Sequence, residues 1–232
     1  MNNKRPIEIV KDFYACKIHS IKTIYCKYLQ IFFYSKSPIW NEYLPGQYVY
    51  LNLNNKIKKY WIASHHFGGD LPSIILHKNE ISFLKNGDEL LLSKPEGTFT
   101  LNPISNYKRT FIFLAQDEGV IPIYVMLKSL LYIENMSKSS IYTICKDSNG
   151  ILFDEIDFLK NMVHGRIKYE QEINKKTFST TKLNELFEFA CKDKAPIFYV
   201  CGGKAFINKV ADFMLKKKVP INNMEYFKLP LN

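Results

Sequence analysis

The chain has 232 residues, room for one large domain or two of ordinary size, and its 47% hydrophobic and 15% aromatic content can fill a substantial core. No apolar run reaches the roughly 18 residues of a membrane-spanning helix, and no apolar stretch follows Met1-Asn2-Asn3-Lys4-Arg5-Pro6 as a secretion signal needs, so a cytoplasmic location is expected. The formal charge of +10 suits an acidic partner or ligand, but the lysines are spread along the chain, densest at 56–59 and 216–218, and no nucleic-acid-binding module accompanies them.

Up to about Pro103 the pattern is all-β. Strands are expected over 13–18, 25–34, 48–53, 60–65, 73–76, 89–92 and 98–101, separated by turn signals such as Pro45-Gly46, Asn54-Asn55 and Asn86-Gly87-Asp88. Short strands at this spacing predict a closed antiparallel barrel. From about Asn106 the pattern changes. Residues 110–115 form a nearly continuous apolar run, as in a buried parallel strand, and a helix is expected over 122–133 with Pro122 in its first turn. Strands at 141–145, 167–171, 197–201 and 224–229 then alternate with helices at 155–163, 183–191 and 205–217. Alternation of this kind predicts a five-stranded parallel sheet covered on both faces. The expected division is therefore 1–105 and 106–232.

The cysteines at 16, 26, 145, 191 and 201 are never within four residues of one another, unlike most zinc or iron–sulfur sets, so no metal site is expected. The stretch with most chemistry is Lys58-Lys59-Tyr60-Trp61-Ile62-Ala63-Ser64. In an extended chain Lys58, Tyr60, Ile62 and Ser64 share a face, offering a cation, a flat ring and a hydroxyl to a phosphate-bearing planar ligand. A barrel strand with a solvated lysine and a packed tyrosine explains the same residues. Two ends of parallel strands also stand out. Gln116-Asp117-Glu118-Gly119 leads into a helix start, where backbone N–H groups can hold phosphate, but acidic residues there equally suit the helix dipole. Cys201-Gly202-Gly203 permits close approach of a ligand to the backbone, or is a plain strand-to-helix turn.

Together these segments resemble the ferredoxin–NADP reductase superfamily over nearly the whole chain and in the right order. Pro45-Gly46-Gln47-Tyr48 is similar to its proline-glycine-glutamine turn, and 58–64 to its Arg-x-Tyr-Ser/Thr-x-x-Ser flavin motif. Lys94-Pro95-Glu96-Gly97-Thr98-Phe99 resembles Gly-Pro-x-Gly-x-Phe, Cys201-Gly202-Gly203 resembles Cys-Gly-Pro, and Met224-Glu225-Tyr226-Phe227 resembles the terminal Glu-x-Phe. The resemblance implies a barrel that binds FAD and an α/β domain that binds NAD(P)H. It implies that Tyr60 stacks on the isoalloxazine, Lys58 takes the place of a pyrophosphate-gripping arginine, and Trp61, Ile62 and Ser64 line the flavin. Ser82, Gly97 and Thr98 would lie near the phosphates, Phe227 would cover the ring, Cys201 would lie near the nicotinamide and Glu225 near the reacting flavin edge. Gly119, Pro122, Lys146, Gly202 and Gly203 would contact the nicotinamide nucleotide. A separate electron acceptor of ferredoxin or flavodoxin type would be the partner.

Two departures bear on this reading. Trp61 stands where the family has serine or threonine, and Gln116-Asp117-Glu118 replace the Gly-Gly-Thr of a nucleotide-binding loop of which Gly119 and Pro122 remain. The second departure leaves open a chain that keeps the fold but has lost nicotinamide use.

Overall fold

Two sheets of opposite character follow one another along the chain. The computed structural model describes residues 12–25, 27–66, 69–81, 83–101, 110–132, 139–145, 150–173, 178–190 and 196–229. The first sheet contains β1 (Phe13–Tyr25), β2 (Tyr28–Tyr34), β3 (Tyr48–Leu53), β4 (Lys56–Trp61), β5 (Ser73–His77) and β6 (Glu89–Ser93), in the order β4-β3-β6-β1-β2-β5, all antiparallel. A short helix, α1 (Lys78–Ile81), follows β5 directly. The β3–β4 hairpin turns on Asn54 and Asn55, with φ of 50° and 61°, as a two-residue primed turn requires. Ile18, Ile31, Phe33, Trp40, Val49, Leu51, Ile74 and Leu92 are among the inward residues that fill the barrel core.

The sheet is barrel-like but not closed. Its edge strands β4 and β5 meet at one bridge, Ile62 with Ile74, reinforced by Ala63 N–H donating to Ser73 O at 2.7 Å. Antiparallel continuation would set Tyr60 opposite Leu76, but among the described residues no ladder pair joins them. The expected strand at 98–101 is absent for a related reason. Its alternating pattern serves burial rather than pairing: Phe99 and Leu101 plug the layer between the two sheets, and Leu101 N–H donates to Pro45 O at 3.1 Å. The first strand does not stop at residue 18 but runs on to Tyr25, bulged near Ile18 and Ser20, and β4 starts four residues before the expected 60 and ends at Trp61.

The second sheet contains β7 (Phe111–Gln116), β8 (Ser139–Cys145), β9 (Ile167–Ile173), β10 (Ile197–Gly202) and β11 (Met224–Lys228), in the order β11-β10-β7-β8-β9, all parallel. Helices α2 (Val120–Tyr132) and α3 (Phe153–Met162) cover one face, and α4 (Thr180–Ala190) and α5 (Lys204–Lys216) the other. β8 is buried along its whole length, and β7 along all but its last residue, which accounts for their near-continuous apolar character. α2 is apolar around most of its circumference because it is a middle layer: Ile123, Met126, Leu127 and Leu130 share one core with Phe111 and Phe113 of the sheet and with Trp61, Ala63, Phe99 and Leu101 of the barrel region. The expected division near residue 105 lies outside the described residues.

Candidate functional site

The open barrel seam forms a cavity of about 400 Å3. Lys58, Lys59, Tyr60 and Trp61 of β4 and Ile75, Leu76 and His77 of β5 supply its barrel side. Glu118 and Ile121 at the start of α2, and Phe227 and Leu229 at the chain's last strand, close it from the parallel sheet. Both faces of β4 contribute because it is an edge strand presented edge-on: Lys58 and Tyr60 come from one face, Lys59 and Trp61 from the other. Trp61 is buried and meets Phe227 edge to face at 4.6 Å between ring centroids; Phe99 lies behind, 6.1 Å from Phe227. Lys59 Nζ sits over the rings of Tyr48 and Phe227, at 4.5 and 4.6 Å.

Charge is concentrated at the end nearest α1. Glu80 bonds Lys58 through one carboxylate oxygen and accepts the Tyr60 O–H at 3.1 Å through the other. Burial, and then the Glu80 carboxylate, push the Tyr60 phenol well above its ordinary range. Glu118 keeps contact with solvent, yet the surrounding walls desolvate it, and Glu80 and Asp117 add repulsion; its carboxyl is raised above the usual carboxylate range.

The floor of the site lies where strand order reverses, between β7 and β10, the crevice in which open parallel sheets bind ligands. There the chain fills its own space. A methyl group on Gly119 would stand 2.6 Å from the Cys201 carbonyl oxygen and 2.9 Å from its sulfur. One on Gly202 would stand 2.5 Å from the Phe206 ring and 3.2 Å from Gln116 Cβ. Gln116 Oε1 accepts the Gly203 N–H at 3.0 Å and so satisfies a backbone donor at the start of α5. Asp117 holds φ at 50°, a conformation that the expected family's glycine adopts without strain.

Of the residues expected to form the site, the structure brings together Lys58, Tyr60, Trp61 and Phe227 at the cavity, and Gly119, Gly202 and Gly203 at the crevice beside it. Pro122 is buried in the first turn of α2. Ile62 points into the barrel core, and Ser64 is consumed within it, accepting the Ser73 N–H at 2.8 Å and bonding the Tyr43 hydroxyl at 2.9 Å. Gly97 is packed under Tyr48, whose ring a Cβ there would meet at 2.9 Å, so its nearest neighbour is an aromatic ring and its smallness has a packing cause. Thr98 and Glu225 are exposed and do not line the cavity; Ser82 and Lys146 lie outside the described residues. Cys201 is fully buried behind Gly119, and burial drives its thiol far up, with Lys59 opposing only in part. Native protein is therefore expected to leave Cys201 unlabelled by iodoacetamide at pH 8, read by mass spectrometry of the peptide. Labelling at the rate of a free thiol would contradict this placement.

Glu80 and Lys59 are the charged cavity residues that the sequence did not assign to the site, and Tyr28, Ile75, Leu76, Ile121 and Leu229 join them as unassigned wall. Glu80 sits in a four-residue helix without a motif, and strand alternation assigned Lys59 to the far face.

No family model and no curated protein sequence matches the chain. Solved structures do. The ferredoxin–NADP+ reductase of Plasmodium falciparum bound to 2'P-AMP superposes with a TM-score of 0.75 at 20% identity, over 94% of this chain and 96% of that one. The flavohem-like FAD/NAD-binding domain of nitric oxide dioxygenase from Vibrio cholerae O1 biovar El Tor gives 0.73 at 15% identity, over 94% and 99%. The cytochrome P450 reductase GcoB of Amycolatopsis gives 0.74 at 13% identity, over 94% of this chain and 71% of that one. The chain thus has the two-domain fold of the ferredoxin–NADP reductase superfamily: a barrel-like antiparallel sheet followed by a five-stranded parallel sheet with helices. Among the described residues no helix is long and apolar enough to cross a membrane.

Proposed function

We propose that the protein is a flavin-dependent oxidoreductase that takes electrons from NADH or NADPH and passes them to a separate redox carrier such as a ferredoxin or flavodoxin. The observation that carries this reading is the cavity at the barrel seam, with Tyr60, Trp61 and Phe227 in its walls and Lys58 at one end. The fit is good for a flat ring: about 400 Å3 of space between aromatic and aliphatic walls, with a few polar groups, suits an isoalloxazine. Structural neighbours named for FAD, NAD and NADP+ support the same assignment. Residues 1–105 would hold FAD and 106–232 would hold NAD(P)H.

Flavin, when bound, accepts a hydride and releases electrons singly or in pairs. The chain's own residues do the rest. Tyr60 and Phe227 would flank and orient the ring, while Trp61, Ile75 and Leu229 would keep water from it. Lys58 offers its ammonium to the phosphate end. Gly119, in the turn after β7, and Cys201 and Gly202, at the end of β10, would border the nicotinamide, although each is packed against the chain's own atoms. The net charge of +10 favours an acidic carrier, with association that weakens as salt rises. Freshly purified protein is expected to be yellow, and to oxidise NADH or NADPH with a dye as acceptor. Colourless protein that does not take up FAD would refute the proposal.

A second reading is favoured by one observation. Gln116 already holds the Gly203 N–H, and Asp117 and Glu118 add negative charge where a nucleotide diphosphate would arrive. A chain of this kind would bind flavin and serve as an electron-transfer or protein-binding subunit without nicotinamide. FAD binding with no reduction by NADH or NADPH would select that reading, and glycine at 116 and 117 with threonine at 118 should then restore part of the activity.

A further inference from the structure

Both cations in the cavity wall are already engaged by the protein itself. Lys59 is committed to the faces of Tyr48 and Phe227. Lys58, the other, is bonded by Glu80, whose second oxygen takes the Tyr60 hydroxyl at 3.1 Å. Glu80 lies on α1, immediately after β5, so its carboxylate bridges from one edge of the open seam to the other. Glu118 is a second carboxylate in the same lining. The wall thus sets two lysines, with His77 beside them, against two carboxylates.

We propose that Glu80 is a specificity-determining residue: its carboxylate occupies the position on Lys58 and Tyr60 that a ligand phosphate would take, and so sets how tightly the protein holds phosphate-bearing flavins relative to riboflavin. This rests on the flavin reading above. The Lys58 ammonium has three donors and is 58% exposed, so a phosphate can bond it either beside Glu80 or by displacing it. In either case the Glu80 carboxylate stands close to the incoming phosphate, and like charges at that range oppose binding. A flavin without phosphate leaves the Lys58–Glu80 pair untouched and uses only the ring walls.

The test is a set of fluorescence titrations with riboflavin, FMN and FAD on the wild-type chain, Glu80→Gln and Glu80→Asp, each checked for native circular dichroism. Glu80→Gln is expected to tighten FMN and FAD roughly ten-fold and to leave riboflavin within about two-fold, since removing one charge at contact range is worth about one decade in affinity. Glu80→Asp keeps the charge and is expected to follow the wild type. Unchanged or weaker FMN and FAD binding by Glu80→Gln overturns the proposal, as does equal tightening of all three flavins, which would indicate only a loosened cavity. Tightening by Glu80→Asp as large as by Glu80→Gln overturns it too. If neither the wild type nor Glu80→Gln binds any flavin, the flavin reading fails and this inference with it; binding at equal affinities sinks the inference alone.

Discussion

Alanine at Gly46 is expected to lower the melting temperature by roughly 4–24 °C, measured by scanning calorimetry. Gly46 holds φ at 96°, where an L side chain is strained, and its added Cβ would collide with the Phe99 carbonyl oxygen and stand 2.5 Å from Met126 Cε. Strain of this kind costs about 1–3 kcal/mol and forced overpacking about 1–3 more. Each kcal/mol shifts a domain of this size by roughly 2–4 °C. The position is costly because the Pro45–Gly46–Gln47 turn is a junction: Pro45 O accepts from Leu101 N–H at 3.1 Å and Gln47 O from Ile62 N–H at 3.1 Å. Met126 belongs to α2, so the collision also pushes the barrel away from the helix that joins it to the parallel sheet. Gly87→Ala is the control. Its φ is 92° but nothing lies within 4 Å of the added atom, so it should show the strain alone. A change under about 2 °C for Gly46→Ala would mean the turn relaxes freely, contrary to the packing described.

Removing the ring of Tyr60 is expected to weaken flavin binding roughly 10- to 100-fold, because stacking a planar heterocycle on an aromatic side chain is worth about 1–3 kcal/mol. Tyr60 is half-buried in the cavity wall and held in place by its bond to Glu80. Tyr60→Phe keeps the ring and loses only that bond, so it should stay within about three-fold of the wild type, the scale of one modest hydrogen bond. Titration of Tyr60→Ala and Tyr60→Phe by flavin fluorescence separates the two contributions. Wild-type affinity in Tyr60→Ala would remove the ring from the binding site altogether.

How far the sequence reaches depends on which residues act locally. The apolar run that became β7, the Asn54-Asn55 turn and the Pro45-Gly46 corner state their structure within a few residues, because burial on both sides, positive φ and a fixed proline φ are local demands. The family resemblance placed Phe227 over a flavin ring and did not pair it with Trp61. That Trp61 is buried between the sheets is a tertiary fact, visible once both sheets are placed. Residues 98–101 misled because alternation is the same whether inward residues belong to a strand or to a plug between layers. Glu80 was silent because its role depends on a seam between strands that are far apart in sequence and on a lysine 22 residues earlier. Gln116 was conspicuous as an altered residue, yet only the fold shows its amide satisfying the Gly203 N–H that lies 87 residues on.

The unclosed seam has one more consequence. Beyond the Ile62–Ile74 bridge the outer edge of β4 has no neighbouring strand among the described residues, and main-chain groups in that state invite pairing with a second molecule. The first four residues of β4 are exposed, and three of them are Lys56, Lys58 and Lys59. Lysines on such an edge disfavour its pairing with a second copy, although the Lys58 charge here is held by Glu80. The protection is electrostatic, and it fades as the screening length contracts below about 8 Å at salt above physiological strength.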